Sequence, residues 1–327
     1  MYLRESETEV AEPPIHQADA RKGLRALFVH FRLVDYLTCG YLAVVGLLIL
    51  FFHRGVPFWP YLALANAGAI AFLIGFINLA ERRRSKVLRF FRDSYPIFLY
   101  TFMFKEISLI INVFFPFWFE QHLINLDRVL FGGQPTVWVQ RLYRPWLTEY
   151  MAFAYWSYYI LLPLTALVLY FRKKRALFHS YVFHLSLTLY VCYLSYPFLT
   201  ARGPHETLAH LHLSRETVGF FDQFVRVIQE NAAISGAAFP SSHVTAVIIS
   251  WIFLFRWNRL VGWITLPLIL SLGFSVVYLQ YHYAVDPLAA VLLVALLYPF
   301  GLYLERRFSP ATLSQIESKE VRSATKL

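Results

Sequence analysis

Phe239-Pro240-Ser241-Ser242-His243 runs directly into an apolar stretch at residues 243 to 256, and Tyr281-His282-Tyr283-Ala284-Val285-Asp286 separates two more, at 260 to 281 and 287 to 304. Each histidine therefore stands where a hydrophobic run begins or ends. A membrane-crossing helix needs about 20 mostly apolar residues, somewhat fewer in a thin bilayer. Five further stretches fit, at 34 to 52, 59 to 80, 95 to 116, 147 to 170 and 180 to 199. The expected fold is an all-α, polytopic integral membrane helix bundle with about eight transmembrane helices.

Composition supports that class. The 327 residues are 58% hydrophobic and 15% charged, whereas soluble domains run about 45 to 50% apolar and about 25% charged. The formal net charge of +10 comes in short bursts between apolar runs, which excludes nucleic acid as the partner and fits anchoring charges at a cytoplasmic surface. Cys39 and Cys192 lie inside apolar runs, so neither a disulfide framework nor a thiolate metal site is expected. Residues 1 to 30 contain Glu5, Glu7, Glu9 and Glu12 and no apolar stretch, so no cleaved signal peptide is expected.

With the N-terminus inside, the inner segments hold 22 Lys and Arg and the outer segments seven. That asymmetry predicts both termini in the cytoplasm. Residues 200 to 242 and the turn at 282 to 286 then emerge together on the extracytoplasmic side, at the depth of lipid headgroups. The expected organisation is a cytoplasmic tail at 1–33, two helices and a basic loop at 34–92, a six-helix core at 93–305 and a second tail at 306–327.

Ser241 or Ser242 suits the N-cap of the helix that follows, and Pro240 keeps the approach extended. The first amides of that helix would form an anion site beside His243; the plainer reading is a capped helix with a histidine at the interface. Asp286 precedes Pro287, so it either caps the next helix or orients His282. A carboxylate on one imidazole nitrogen fixes the tautomer and frees the other nitrogen to act as a nucleophile. Arg202, in Thr200-Ala201-Arg202-Gly203-Pro204, could hold a phosphate through paired hydrogen bonds, with Gly203 allowing close approach, or could simply snorkel. Lys105 and Glu106, read as lying near the middle of the third span, favour a structural ion pair over a substrate contact. His184, His205, His210 and His212 fit no motif. Residues 117 to 146 form an aromatic outer segment in which Leu126, Val129 and Leu130 share one face of a short interfacial helix ended by Gly132-Gly133.

Arg202-Gly203-Pro204, Pro240-Ser241-Ser242-His243, and Ser275 followed by His282 and Asp286 resemble, in order and at the matching helix ends, the three motifs of the type 2 phosphatidic acid phosphatase superfamily. The resemblance covers roughly residues 93 to 305. It departs at Ser195, where the first motif has lysine, at Gly203, which separates arginine from proline, at Ser242 in place of glycine, and at Val276 in place of the third-motif arginine. The stretches Tyr278 to Asp286 and Asp127 to Gly132 look more like the branch that includes aureobasidin-sensitive inositol phosphorylceramide synthases. The resemblance implies a lipid phosphotransferase or phosphatase working through a phosphohistidine on His282. Asp286 would orient that histidine, His243 would protonate the leaving oxygen, and Arg202, Ser241 and Ser242 would hold the phosphate. It implies a membrane lipid substrate and neither a metal nor another cofactor. Arg141, Arg144 or Arg215 could replace the missing arginine. Alternatives are a lipid phosphate or polyprenyl diphosphate phosphatase, in which water attacks in place of an alcohol, and a non-catalytic transporter or binding protein, which usually shows helices broken at the midplane.

The topology is testable apart from the chemistry. A reporter fused after Arg175 is expected to read cytoplasmic and one inserted near His210 extracytoplasmic; the opposite result at either position overturns the helix count.

Overall fold

The computed structural model describes residues 27–83, 85–213 and 216–309. Its main helices are α1 (Leu33–Phe51), α2 (Trp59–Arg82), α3 (Lys86–Ile107), α4 (Glu120–Phe131), α5 (Pro145–Phe171), α6 (Arg175–Ser195), α7 (Phe220–Ala232), α8 (Ser242–Trp257), α9 (Arg259–Tyr278) and α10 (Val285–Phe308). Among the described residues the only β pairing is a single parallel bridge between Ala201 and Ala237. Six helices, α1, α2, α5, α6, α9 and α10, are long and apolar enough to cross a membrane. The chain is an all-α polytopic membrane bundle. The other two stretches of the expected eight correspond to α8, apolar but only 16 residues long, and to α3. The two expected tails fall largely outside the described residues.

Helix α6 forms the axis of the bundle. It packs against α1, α3, α5, α8 and α10, and it is the most buried of the six spans. Its small and polar side chains find partners inside the protein: Ser186 meets the Tyr100 hydroxyl at 2.9 Å and Ser180 donates to Glu305 at 2.9 Å.

The third span departs from expectation. It was expected at 95 to 116, but α3 ends at Ile107. The chain then turns through Asn112, whose φ of 61° is left-handed, toward Pro116, whose ring disfavours helix at the preceding residue. Lys105 thus lies in the last helical turn and not at mid-span. Glu106 accepts from Asn66 Nδ2, at 2.5 Å, and Lys105 Nζ donates to the Ala232 carbonyl, at 2.9 Å, so the pair makes no ion pair with other helices among the described residues.

Two amphipathic helices lie at the same end as the histidines. In α4, Glu120, Leu123 and Asp127 turn inward while Leu126, Val129 and Leu130 are exposed, as an interfacial helix requires. Gly132, at φ 76°, ends it. Helix α7, which the sequence pattern had not announced, buries Asp222 and Val225 and exposes Phe220, Phe224 and Val227.

The opposite end is held by charge. Asp35 and Arg92 are both buried, and the guanidinium meets the carboxylate twice, at 3.0 and 2.6 Å. The Tyr95 hydroxyl and the Arg32 amide also donate to Asp35. Beside them, Asp93 accepts from Arg32 and Arg175, each at 2.6 Å. These contacts join α1, α3 and α6. Because Arg92→Met leaves Asp35 charged and unpaired in a buried site, it is expected to destabilise the protein by about 3 to 5 kcal/mol. The double variant Asp35→Asn, Arg92→Met should lose less. Denaturant unfolding in detergent measures both, and an additive double variant would remove the coupling.

Candidate active site

The loops that carry the three expected motifs are tied together by main chain. The Ala201 amide bonds the Gly236 carbonyl and the Ala238 amide bonds the Ala201 carbonyl, each at 3.0 Å, and the His205 amide bonds the Gln280 carbonyl at 2.9 Å. Segment 200–205 therefore lies between segment 236–240 and the turn at 279–286. Gly203 is needed for this packing, since a Cβ there would meet the Tyr281 carbonyl at 2.7 Å. Gly203 also lines the cavity described below.

Each histidine is set by the way its helix starts or stops. Helix α9 ends at Tyr278, and the chain reverses through Gln280 at φ 67°. The Tyr281 and His282 amides both bond the Val276 carbonyl, at 3.0 Å, which presents the His282 ring beneath the loops. Ser241 is the N-cap of α8, its Oγ accepting from the Val244 amide at 3.4 Å; the peptide before Pro240 is cis. The amides of Ser242 and His243 open the helix, where no intrahelical acceptor exists.

His282 Nδ1 lies 3.0 Å from Asp286 Oδ2, and both residues are buried. The carboxylate places the proton on Nδ1 and leaves the lone pair on Nε2. That nitrogen is 3.3 Å from Ser241 Oγ. Asp286 also accepts from the Tyr283 amide at 3.1 Å, while the N-cap position of α10 is held by Ala284. The capping work falls to Asp127 on α4, whose Oδ2 accepts from the Ala284 amide at 3.0 Å and whose Oδ1 accepts from the Val285 amide at 2.9 Å. Burial pushes the Asp127 carboxyl above its ordinary range, and the two amides oppose that rise.

The His243 and His282 ring centroids are 6.0 Å apart, and both rings line one cavity of about 220 Å³. The spacing admits one phosphoryl group in contact with both. His243 Nε2 is 3.1 Å from the Tyr155 hydroxyl, and Gln229 Nε2 donates to that hydroxyl at 2.5 Å. The Tyr155 oxygen has two lone pairs, so it can accept from Gln229 and from a protonated His243 Nε2 together. Tyr100, Tyr155, Tyr158, Tyr159, Tyr193 and Tyr281 also line the cavity, giving a largely aromatic wall. Of the histidines that fit no motif, His205 joins the cavity, and burial holds it below its ordinary range. His184 is buried in α6, 3.9 Å from Glu305.

Arg202, expected to hold phosphate, does not line the cavity. Its Nε and Nη2 donate to Glu120 Oε1 at 2.9 and 2.5 Å, and its guanidinium lies 4.3 Å from the centre of the Trp118 ring. A buried carboxylate demands a cation, and Arg202 is the one that reaches it. Ser242 lines the cavity, and Ser241 stands against His282. Arg141 and Arg144 are exposed and absent from the lining, and Arg215 lies outside the described residues. Sequence reasoning missed Tyr155 and Gln229, which are inconspicuous in an aromatic helix and a polar one. It marked Asp127 only through the resemblance of its stretch.

The sequence model of one protein family, described as the PAP2 superfamily, matches residues 121–300. That span includes Asp127, Arg202, both histidines and Asp286. No curated protein and no solved structure matches the chain.

Asp127→Ala removes the acceptor for two buried amides in the turn that carries His282. Bonds to a charged group contribute about 1.5 to 3 kcal/mol each, so a loss of about 3 kcal/mol is expected on denaturant unfolding in detergent. Asp127→Asn, which keeps one acceptor oxygen, should lose about half as much. Equal stability of all three proteins would remove Asp127 from this role.

Proposed function

The chain belongs to the PAP2 superfamily, and from that premise we propose that it transfers a phosphate-bearing group of a membrane lipid through a phosphohistidine on His282. The superfamily supports the coarser statement, phosphatase or phosphotransferase chemistry on lipid phosphates. The finer reading rests on one observation: His282 Nδ1 is engaged by Asp286 at 3.0 Å while His243 stands 6.0 Å away, ring centre to ring centre, in the same cavity.

In this reading His282 Nε2 attacks phosphorus as the bond from phosphorus to the leaving oxygen breaks. His243 gives that oxygen its proton. The acceptor, an alcohol or water, then passes a proton to the now neutral His243 as its own oxygen displaces His282, which restores both side chains. Asp286 stabilises the positive charge that His282 acquires on phosphorylation. Tyr155 and Gln229 orient His243. The amides of Ser242 and His243, at the positive end of α8, receive the phosphoryl oxygens. We place the site on the extracytoplasmic side with both termini in the cytoplasm, because the Arg32, Arg92 and Arg175 cluster occupies the other end of the bundle.

His282→Ala is expected to abolish both turnover and acid-labile phosphoenzyme while leaving expression unchanged. Purified protein would be assayed against phosphatidylinositol with ceramide or diacylglycerol, and against polyprenyl diphosphate. Substantial turnover in the variant would sink the phosphohistidine reading. Transfer to the alcohol with little free phosphate or free inositol phosphate would separate transferase from phosphatase.

A further inference from the structure

Among the described residues, Lys105 is the single lysine or arginine that lines the cavity shared by His243 and His282. It lies in the last turn of α3 and is exposed. Its Nζ donates one bond, 2.9 Å long, to the Ala232 carbonyl at the end of α7. An ammonium has three donors, so capacity remains for an anion in the cavity.

Among the described residues, no other cation weighed for this role lines the cavity. Val276 occupies the position of the third-motif arginine and is fully buried in the core, while Arg202 is bound to Glu120. Glu206 also lines the cavity and would repel a phosphate. Its carboxylate, however, accepts from Ser235 at 2.7 Å and lies 3.8 Å from His205. A phosphate there would face two histidines, the opening amides of α8 and one fixed positive charge. The bond to Ala232 alone would suit a helix C-terminus anywhere on the surface; it does not account for an ammonium on the lining of the cavity that holds both histidines.

We propose that Lys105 is the phosphate-binding cation of this site, contacting the phosphate of the lipid substrate in place of the guanidinium groups that are missing or sequestered. The proposal rests on the reading of His282 as the residue that takes up the phosphoryl group. Lysine presents a point charge and not a planar fork, so binding should depend on charge more than on shape.

The test uses binding of inorganic phosphate to the purified full-length protein in detergent, read from the rise in unfolding temperature with phosphate concentration. Lys105→Met is expected to raise the phosphate concentration needed for half of that rise by about tenfold or more, because a bond to a charged group is lost. Lys105→Arg should stay within about threefold. If Lys105 only caps α7, Lys105→Met lowers the unfolding temperature without phosphate and leaves the phosphate midpoint unchanged, which overturns the proposal. A wild-type protein that phosphate does not stabilise overturns it as well. If Lys105→Met unfolds on purification, Lys105→Gln supplies the same comparison. His282→Asn, measured alongside, separates the two readings. Loss of turnover with retained phosphate binding supports His282 as nucleophile whatever Lys105 does, and full turnover removes the phosphohistidine while the Lys105 binding result still stands.

Discussion

The carboxylate of Asp127 bound to the Ala284 and Val285 amides is the contact on which the site's arrangement depends. A helix beginning at Val285 has amides in need of acceptors, and an aspartate in its first turn would ordinarily supply them. With α4 supplying that carboxylate from outside, Asp286 can turn toward His282 and the Tyr283 amide. The interfacial helix is therefore part of the end of the bundle that holds His243 and His282, and not an ornament beside it. Its inward face, Glu120, Leu123 and Asp127, carries in one short element the partner of Arg202, a piece of the small core beneath the loops, and the cap of α10.

Charge is distributed so that the interior is firmly neutralised at both ends and sparsely charged between. At one end Asp35 and Asp93 take up Arg92, Arg32 and Arg175; at the other Glu120 takes up Arg202. The cavity between these clusters is walled by tyrosines. In such surroundings a single positive charge or a pair of helix-opening amides acts on an anion with little screening, and its effect far exceeds what the same groups would exert in water.

His243, His282 and Asp286 were legible because each sits at a helix end that hydropathy alone locates, and because their spacing is local. The pairing of His282 with Asp286 spans four residues and needs no tertiary information. The contact of Arg202 with Glu120 was hidden for the opposite reason: its partner is 82 residues away in sequence, and nothing local distinguishes a guanidinium that holds a ligand from one that neutralises a distant carboxylate. Lys105 was misplaced by treating the run up to residue 116 as one span, when Asn112 and Pro116 already mark a chain that leaves the helix. Tyr155 carries no sequence signal, since α5 contains many aromatic residues and only packing against α7 singles one out. The all-α membrane bundle itself was plain from the apolar runs, yet α7 was not, because its apolar positions recur on one face of a mostly polar segment.

Val276 is not simply an arginine site left vacant by substitution. Its side chain is fully enclosed, and its carbonyl holds the amides of both Tyr281 and His282. A guanidinium introduced there would have to be desolvated inside the bundle or displace the reversal that presents His282. The position has become architecture. Restoring the related enzymes' charge by one replacement would act on the shape of the turn before it acted on any ligand, so the route between the two kinds of site cannot run through residue 276 alone.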